Sequence, residues 1–265
     1  MPSVKQTLVV VDNARPRDAV ERQDGTIVVG GDNSASEFSA FDRAMEFVGP
    51  DVWSYDLVHF ATSAFNRLYV AYLERFDAAL LGQASRRPVC VGHIDCYNSP
   101  IEALTYRSQH WVRSCFFFLP PAEAKALGSF VSVPDPAVFF SGDPLHPFRP
   151  AAPLDVQYRD YITQWLAGKD VGQGVAWHSS FALTADTLPA FERKAQAILN
   201  EHLLSVRLRA LGCHLVDVTW LSTMQRHASA HEIVWATPWR EQLAHRDRDR
   251  VTVPDDARIG LPVTV

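Results

Sequence analysis

The chain reads as an α/β protein with a mainly parallel sheet flanked by helices, followed by a helical or irregular C-terminal extension. Two observations carry this expectation. Short apolar β-branched runs alternate with stretches of helical periodicity through the first half, the pattern of a parallel sheet with both faces covered. The first two runs, "QTLVVVDN" and "GTIVVGGDN", also share one design, an apolar strand ending in Asp12-Asn13 and in Asp32-Asn33.

Taken in order, "QTLVVVDN" predicts a buried parallel strand followed by a loop, and "GTIVVGGDN" repeats it. "SASEFSAFDRAMEFV" places Phe38, Phe41, Met45 and Val48 at helical spacing, with Ser34 and Glu37 set as a capping box. "YDLVHFATSAF" predicts a strand and "NRLYVAYLERFDAALLG" a helix. "RPVCVGHIDCY" and "HWVRSCFFFLP" are two more strands, separated by a polar loop. From Pro134 to Pro153 the chain is rich in proline, glycine and aspartate, which predicts a long crossing loop. Beyond it, "LDVQYRDYITQWLAG" predicts a helix and "GVAWHSSFALT" an extended piece. "NEHLLSVRLRALG" predicts a helix opening at Asn200-Glu201 and closed by Gly212. The strand "CHLVDVTWL" follows, and the tail "REQLAHRDRDR" predicts a solvated surface.

A chain of 265 residues, 47% of them hydrophobic, can bury a full core and sits near the upper size of one domain. Its net charge of -5 and the lack of a long Lys/Arg stripe argue against nucleic acid as a partner. No apolar run reaches the roughly 18 residues that would suggest a membrane span, and the N-terminal stretch turns polar too soon for a signal peptide. Cys90, Cys96, Cys115 and Cys213 lie mostly in apolar strand-like runs, as reduced buried thiols of a cytosolic protein would.

Three constellations could carry chemistry. Asp12-Asn13 and Asp32-Asn33 end successive strands, where open α/β sheets bind ligands, and the helix after "GGDNSAS" offers N–H groups to an anion. Equally, Asp and Asn make turns and caps. "CVGHIDC" holds four potential metal ligands, but strand alternation puts Cys90 and Cys96 on one face and His93 and Asp95 on the other. A metal hydrolase built on this stretch is thereby disfavoured, while His93 and Asp95 remain candidates for a partial site. Glu201 stands at the head of its predicted helix, either as a charge suited to an N-terminus or as a carboxylate at a cleft edge. Trp165, Trp177, Trp220, Trp235 and Trp239 crowd the second half, as core or as an acceptor platform. No nucleophile elbow, P-loop or complete G-x-G-x-x-G motif occurs.

The order of these pieces resembles a GT-A (Rossmann-like) glycosyltransferase, in particular the rhamnan synthesis protein F family of bacterial polysaccharide glycosyltransferases. The likeness covers about residues 7 to 130 and 190 to 220. It rests on "GGDNSASEFSAF", on Arg113-Ser114-Cys115-Phe116 in place of the family's "QSYF" strand, and on "NEHLLSVRLRALG". The resemblance implies a nucleotide-sugar-binding half at residues 1–133, an acceptor-side half with the catalytic helix at 134–222, and an extension at 223–265. It implies Glu201 as the general base, with Asp12, Asn13, Asp32 and Asn33 holding the donor's nucleoside and His93 and Asp95 lining the diphosphate or acceptor side. The donor would be UDP-, dTDP- or GDP-linked, and the acceptor a bacterial surface glycan. A lipid-linked acceptor would draw a cytoplasmic enzyme to the inner face of the membrane. The family's Asp-x-Asp metal motif is replaced by Thr62 and Ser63. Transfer would then be independent of Mn or Mg, or Asp95 and a histidine such as His178 would bind the ion. The other reading is a non-catalytic sugar- or nucleotide-binding subunit of a polysaccharide-synthesis complex.

Overall fold

The computed structural model describes residues 4–63, 77–169, 171, 179–227 and 233–246. Its strands sort into two mixed sheets. In the smaller, β1 (Leu8–Asp12) runs parallel to β3 (Thr26–Gly30), and β2 (Val20–Gln23) pairs antiparallel on the far edge of β3. The larger has the order β4 (Val58–Ala61), β6 (Tyr106–Leu119), β5 (Val89–Ala103), β7 (His214–Asp217). Only the β5–β7 pair in it is parallel.

The expected mainly parallel sheet is therefore corrected. The polar stretch read as a loop between "RPVCVGHIDCY" and "HWVRSCFFFLP" is itself strand, so β5 and β6 meet at a tight turn through Leu104. Strands joined by a short turn must run antiparallel, and this hairpin supplies most of the larger sheet. β1 is parallel as expected but not buried, since Leu8 and Val10 remain exposed.

Helices cover both faces of the larger sheet. They are α1 (Glu37–Val48), α2 (Ala78–Ala84), α3 (Pro121–Leu127), α4 (Val156–Leu166), α5 (Leu188–Ala210), α6 (Val218–His227) and α7 (Trp239–Ala244). On one face Phe38 and Phe41 of α1 and Leu204 and Leu208 of α5 pack with Cys90, Ile94, Phe117 and Phe130. Each such buried side chain contributes roughly 1.5–3 kcal/mol. On the other face Leu80 of α2 and Trp220 and Leu221 of α6 pack on Val89, Val91, Phe116 and Val216. A third core joins α4 and the first half of α5 to the hairpin tip through Tyr158, Ile162, Phe191 and Leu199. The stretch 134–153 is largely turn and loop, as its composition predicts. No helix among the described residues is long and apolar enough to cross a membrane.

Several local expectations change. The Ser34/Glu37 capping box does not form: Ser34 bonds Asp32, and the residue before α1, Ser36, makes no side-chain cap. "NEHLLSVRLRALG" is the second half of a 23-residue helix that begins at Leu188. Asn200 resembles a cap, yet its Oδ1 accepts from the backbone N–H groups of Ser132 and Val133 at 2.7 and 2.8 Å. It anchors a distant loop rather than starting a helix. Gly212, with φ of +85°, follows the last turn as expected. "CHLVDVTWL" is strand only to Asp217, which then accepts from Thr219 and Trp220 N–H groups and starts α6. The predicted helix in "NRLYVAYLERFDAALLG" lies mostly outside the described residues, and so do residues 174–178 of "GVAWHSSFALT", with Trp177 and His178, and the end of the tail.

Candidate functional site

The β5–β6 ladder breaks in the middle. Gly92 pairs with Phe117, but the next registered pair is Ile94 with Val112. Arg113, Ser114, Cys115 and Phe116 therefore bulge opposite the single residue His93, a device that re-aims side chains out of a regular strand. Gly92 permits the close approach, because a Cβ there would stand 2.4 Å from Val112 Cγ1 and 3.0 Å from the Phe116 carbonyl oxygen.

Side chains from outside the ladder bind the backbone around the break. The Val112 N–H donates to Ser205 Oγ at 2.8 Å and the Ser114 N–H to Glu201 Oε1 at 2.6 Å. The Ile94 N–H donates to Asp217 Oδ2 at 3.0 Å, and its carbonyl accepts from Arg246 Nη1 at 3.0 Å. Glu201 and Ser205 are one helical turn apart on α5, while Ser114 and Val112 are two residues apart on β6. Four helical residues rise about 6 Å and two strand residues about 6.6 Å, so the helix stripe and the strand keep step.

Glu201 accordingly lies inside α5, on its sheet-facing stripe with Ala197, Leu204 and Leu208, and not at a helix mouth. Its Oε1 accepts from both the backbone N–H and the hydroxyl of Ser114, the latter at 2.8 Å. No hydrogen bond within the described residues reaches its Oε2. The Ser114 hydroxyl also stands 2.8 Å from Oε1 of Glu37, the first residue of α1. Burial raises the Glu201 carboxyl above its ordinary pKa; the bonds from Ser114 oppose that, and the charge of Glu37 adds to it.

Asp95 and His93 flank the same break. Arg113 donates from Nε and Nη2 to Asp95 Oδ2, at 3.0 and 2.7 Å. Burial alone would raise the Asp95 carboxyl, but the Arg113 charge and bonds outweigh it and hold it below the usual range. His93 is buried, and its pKa falls to about 3 through desolvation and the cations Arg113 and Arg246. It is neutral in the fold. His202, next to Glu201, points into the third core, where it contacts the Tyr158 hydroxyl and packs on Trp111 with ring centroids 4.1 Å apart. It is a packing histidine.

The strand-end residues come together as well. Asn13 Nδ2 donates to Asn33 Oδ1 at 3.3 Å, joining the loops after β1 and β3. Asp12 binds its own turn at the Ala14 N–H and pairs with Arg15 at 3.1 Å. Asp32 binds the N–H and hydroxyl of Ser34 and pairs with Arg17 at 2.8 Å. Both acids thus hold the turns that the general preference for Asp at such places predicts. The Asp32–Ser36 loop leads directly into Glu37, so this cluster connects through Ser114 to Glu201.

Of the residues named for a divalent ion or standing in place of its motif, Asp95 and Thr62 are engaged within the protein. Asp95 is engaged by Arg113, and Thr62 Oγ1 donates to the Cys115 carbonyl. Among the described residues no group of three or more His, Cys, Asp or Glu side chains converges as a metal site. His178 lies outside them. Sequence reasoning gave no role to Arg113, Asp217 or Arg246, nor to the side chain of Ser114, and read Glu37 as half of a capping box rather than as a partner of Ser114. The signal was available for three of these: Arg113-Ser114 interrupts the apolar run of "HWVRSCFFFL", and Asp217 is a lone acid in "HLVDVTW".

Compared with known proteins, the chain matches no family model, no curated protein and no solved structure.

Proposed function

We propose that the protein is a GT-A-like glycosyltransferase that moves a sugar from a nucleotide-diphosphate donor to a bacterial surface glycan, with Glu201 as general base. One observation carries the reading. The loops after β1 and β3, where a nucleoside would bind, are linked to Glu201 by the Glu37–Ser114–Glu201 hydrogen-bond chain, although the sequence separates them by most of its length. Ser114 fixes Oε1, which leaves Oε2 for an acceptor hydroxyl. In the reaction Oε2 takes the hydroxyl proton as the acceptor oxygen attacks the anomeric carbon. The bond to the donor's diphosphate breaks, and the diphosphate leaves with the electron pair. A carboxyl with raised pKa is a stronger base than an ordinary one, which suits it to this transfer.

Donor turnover by the intact chain and by Glu201→Gln tests the assignment. A loss of about 100-fold or more with donor binding retained is expected, in line with the usual worth of a general base. Equal turnover in the two proteins would refute it. The second reading, a non-catalytic nucleotide- or sugar-binding subunit, is favoured by one feature: Asp12, Asp32 and Asp95 are all committed to arginines. Thermal shift with UDP-, dTDP- and GDP-sugars, with and without manganese, separates the two. Stabilisation without turnover points to the binding subunit.

A further inference from the structure

A second polar cluster lies two helical turns from Glu201 along α5, a distance of about 12 Å. Here Arg209 Nη1 donates to the His110 ring nitrogen Nε2 at 2.8 Å and to the His110 carbonyl at 3.2 Å, and Nη2 donates to Ser108 Oγ at 2.8 Å. Arg240, at the start of α7, donates to Gln109 Oε1 at 2.6 Å and lies 4.5 Å over the Trp239 ring. Trp239 in turn stacks on His110, with centroids 4.8 Å apart and planes 18° apart. All of these acceptors are neutral. No carboxylate of the described residues pairs with either guanidinium, in contrast to Arg15, Arg17, Arg43, Arg113 and Arg246.

Two positive charges, one of them half-buried, thus flank the stacked His110 and Trp239 rings with no carboxylate partner among the described residues. Desolvation is unfavourable for Arg209, and nothing charged on the described surface offsets it. Half-burial of Arg209 lowers the local dielectric around its guanidinium and strengthens any ion pair made with it. We infer that Arg209 and Arg240, with His110 and Trp239, form a binding site for a phosphate or diphosphate group. The match is one of charge and geometry. Two guanidiniums balance a doubly charged phosphate, and their planar N–H forks suit its oxygens better than a single ammonium would. The ligand comes either as a soluble phosphate ester or as the headgroup of a lipid. The site uses none of the residues assigned to sugar transfer, so it stands or falls apart from that reading.

A built-in reporter makes the test direct. Burial and the two arginines hold the His110 imidazole neutral, with a pKa of about 3. An anion that neutralises Arg209 and Arg240 raises that pKa, while burial still keeps it below the ordinary value. Inorganic pyrophosphate is titrated into the full chain by calorimetry and by NMR of the His110 ring, assigned through its loss in His110→Gln. Saturable binding, an upward His110 shift and a roughly tenfold weaker affinity in Arg240→Gln are expected. Arg209→Gln should act likewise; should it fail to fold, the exposed Arg240→Gln still decides. Co-sedimentation with phosphatidylcholine vesicles, with and without phosphatidic acid, distinguishes the sources. Binding that requires the acidic lipid assigns a headgroup, and binding of pyrophosphate alone assigns a soluble ligand. Binding of neither, or pyrophosphate binding that Arg240→Gln leaves unchanged, would overturn the site.

Discussion

Ser114 has one hydroxyl proton and a carboxylate oxygen at 2.8 Å on either side. It can donate to only one of them at a time, so the two carboxylates compete for a single hydroxyl proton. Glu201 also holds the Ser114 N–H, while burial and the charge of Glu37 raise its proton affinity, as suits a base. The sequence singles out Glu201 as a candidate, but its contact with Ser114 is not legible there, because contacts across 87 residues leave no local pattern. Asp217 shows the same limit. It is fully buried and accepts from the N–H groups of Ile94, Thr219 and Trp220. Asp217→Ala leaves all three donors and the Arg246 cation without that carboxylate. A loss of about 3–5 kcal/mol is expected, read as a lower urea midpoint with unchanged slope.

Among the elements, the sequence revealed strands and helices better than where they stop. β1, β3, α1, β4 and α4 fall where apolar periodicity puts them. α5 was cut short because Asn200 and Glu201 look like a helix start, whereas both side chains serve neighbouring elements. The β5–β6 turn was missed because polar residues at an exposed hairpin tip read as a loop. The bulge at Arg113–Phe116 had no sequence signature beyond two polar residues in an apolar run. Its counterpart, Gly92, gives a test at this scale. Gly92→Ala drives a methyl against Val112 and the Phe116 carbonyl, and a cost of about 1–3 kcal/mol is expected. The same change should lower any activity at Glu201, since Ser114 sits within the bulge. Denaturant titration and turnover, measured on one preparation, check both.

For the molecule as a whole, buried neutral histidines set the response to acid. His93 and His202 have pKa values of about 3 in the fold and about 6.5 when unfolded. Between those values the unfolded chain binds more protons, so stability rises with pH and falls on acidification through that window. Each contributes about 1.4 kcal/mol per pH unit in mid-window. Asp95, held below its usual range, adds its loss at the acid end. Glu201 and Asp217, both raised, work in the opposite sense and return part of it. Urea midpoints should therefore be lower at pH 4.5 than at pH 7, and replacing His202 by Gln should flatten the difference.

The broken ladder has one more consequence, for how the molecule comes apart. Side chains of α5 complete the hydrogen bonding of β6, so helix and sheet cannot separate without stripping partners from the Val112 and Ser114 amides. Each buried amide left bare costs about 1–3 kcal/mol, which joins the two layers into a single cooperative unit. The small sheet is tied to α1 instead at its β3 side, by Arg43 to the Gly30 and Arg17 carbonyls and by Arg17 to Glu46. Among the described strands β1 pairs with β3 alone, and Leu8 and Val10 stay exposed on it. Partial unfolding thus begins at β1 and spares the layer that holds Glu201, so an early fraying intermediate keeps its carboxylate chain intact while losing the loop that carries Asp12.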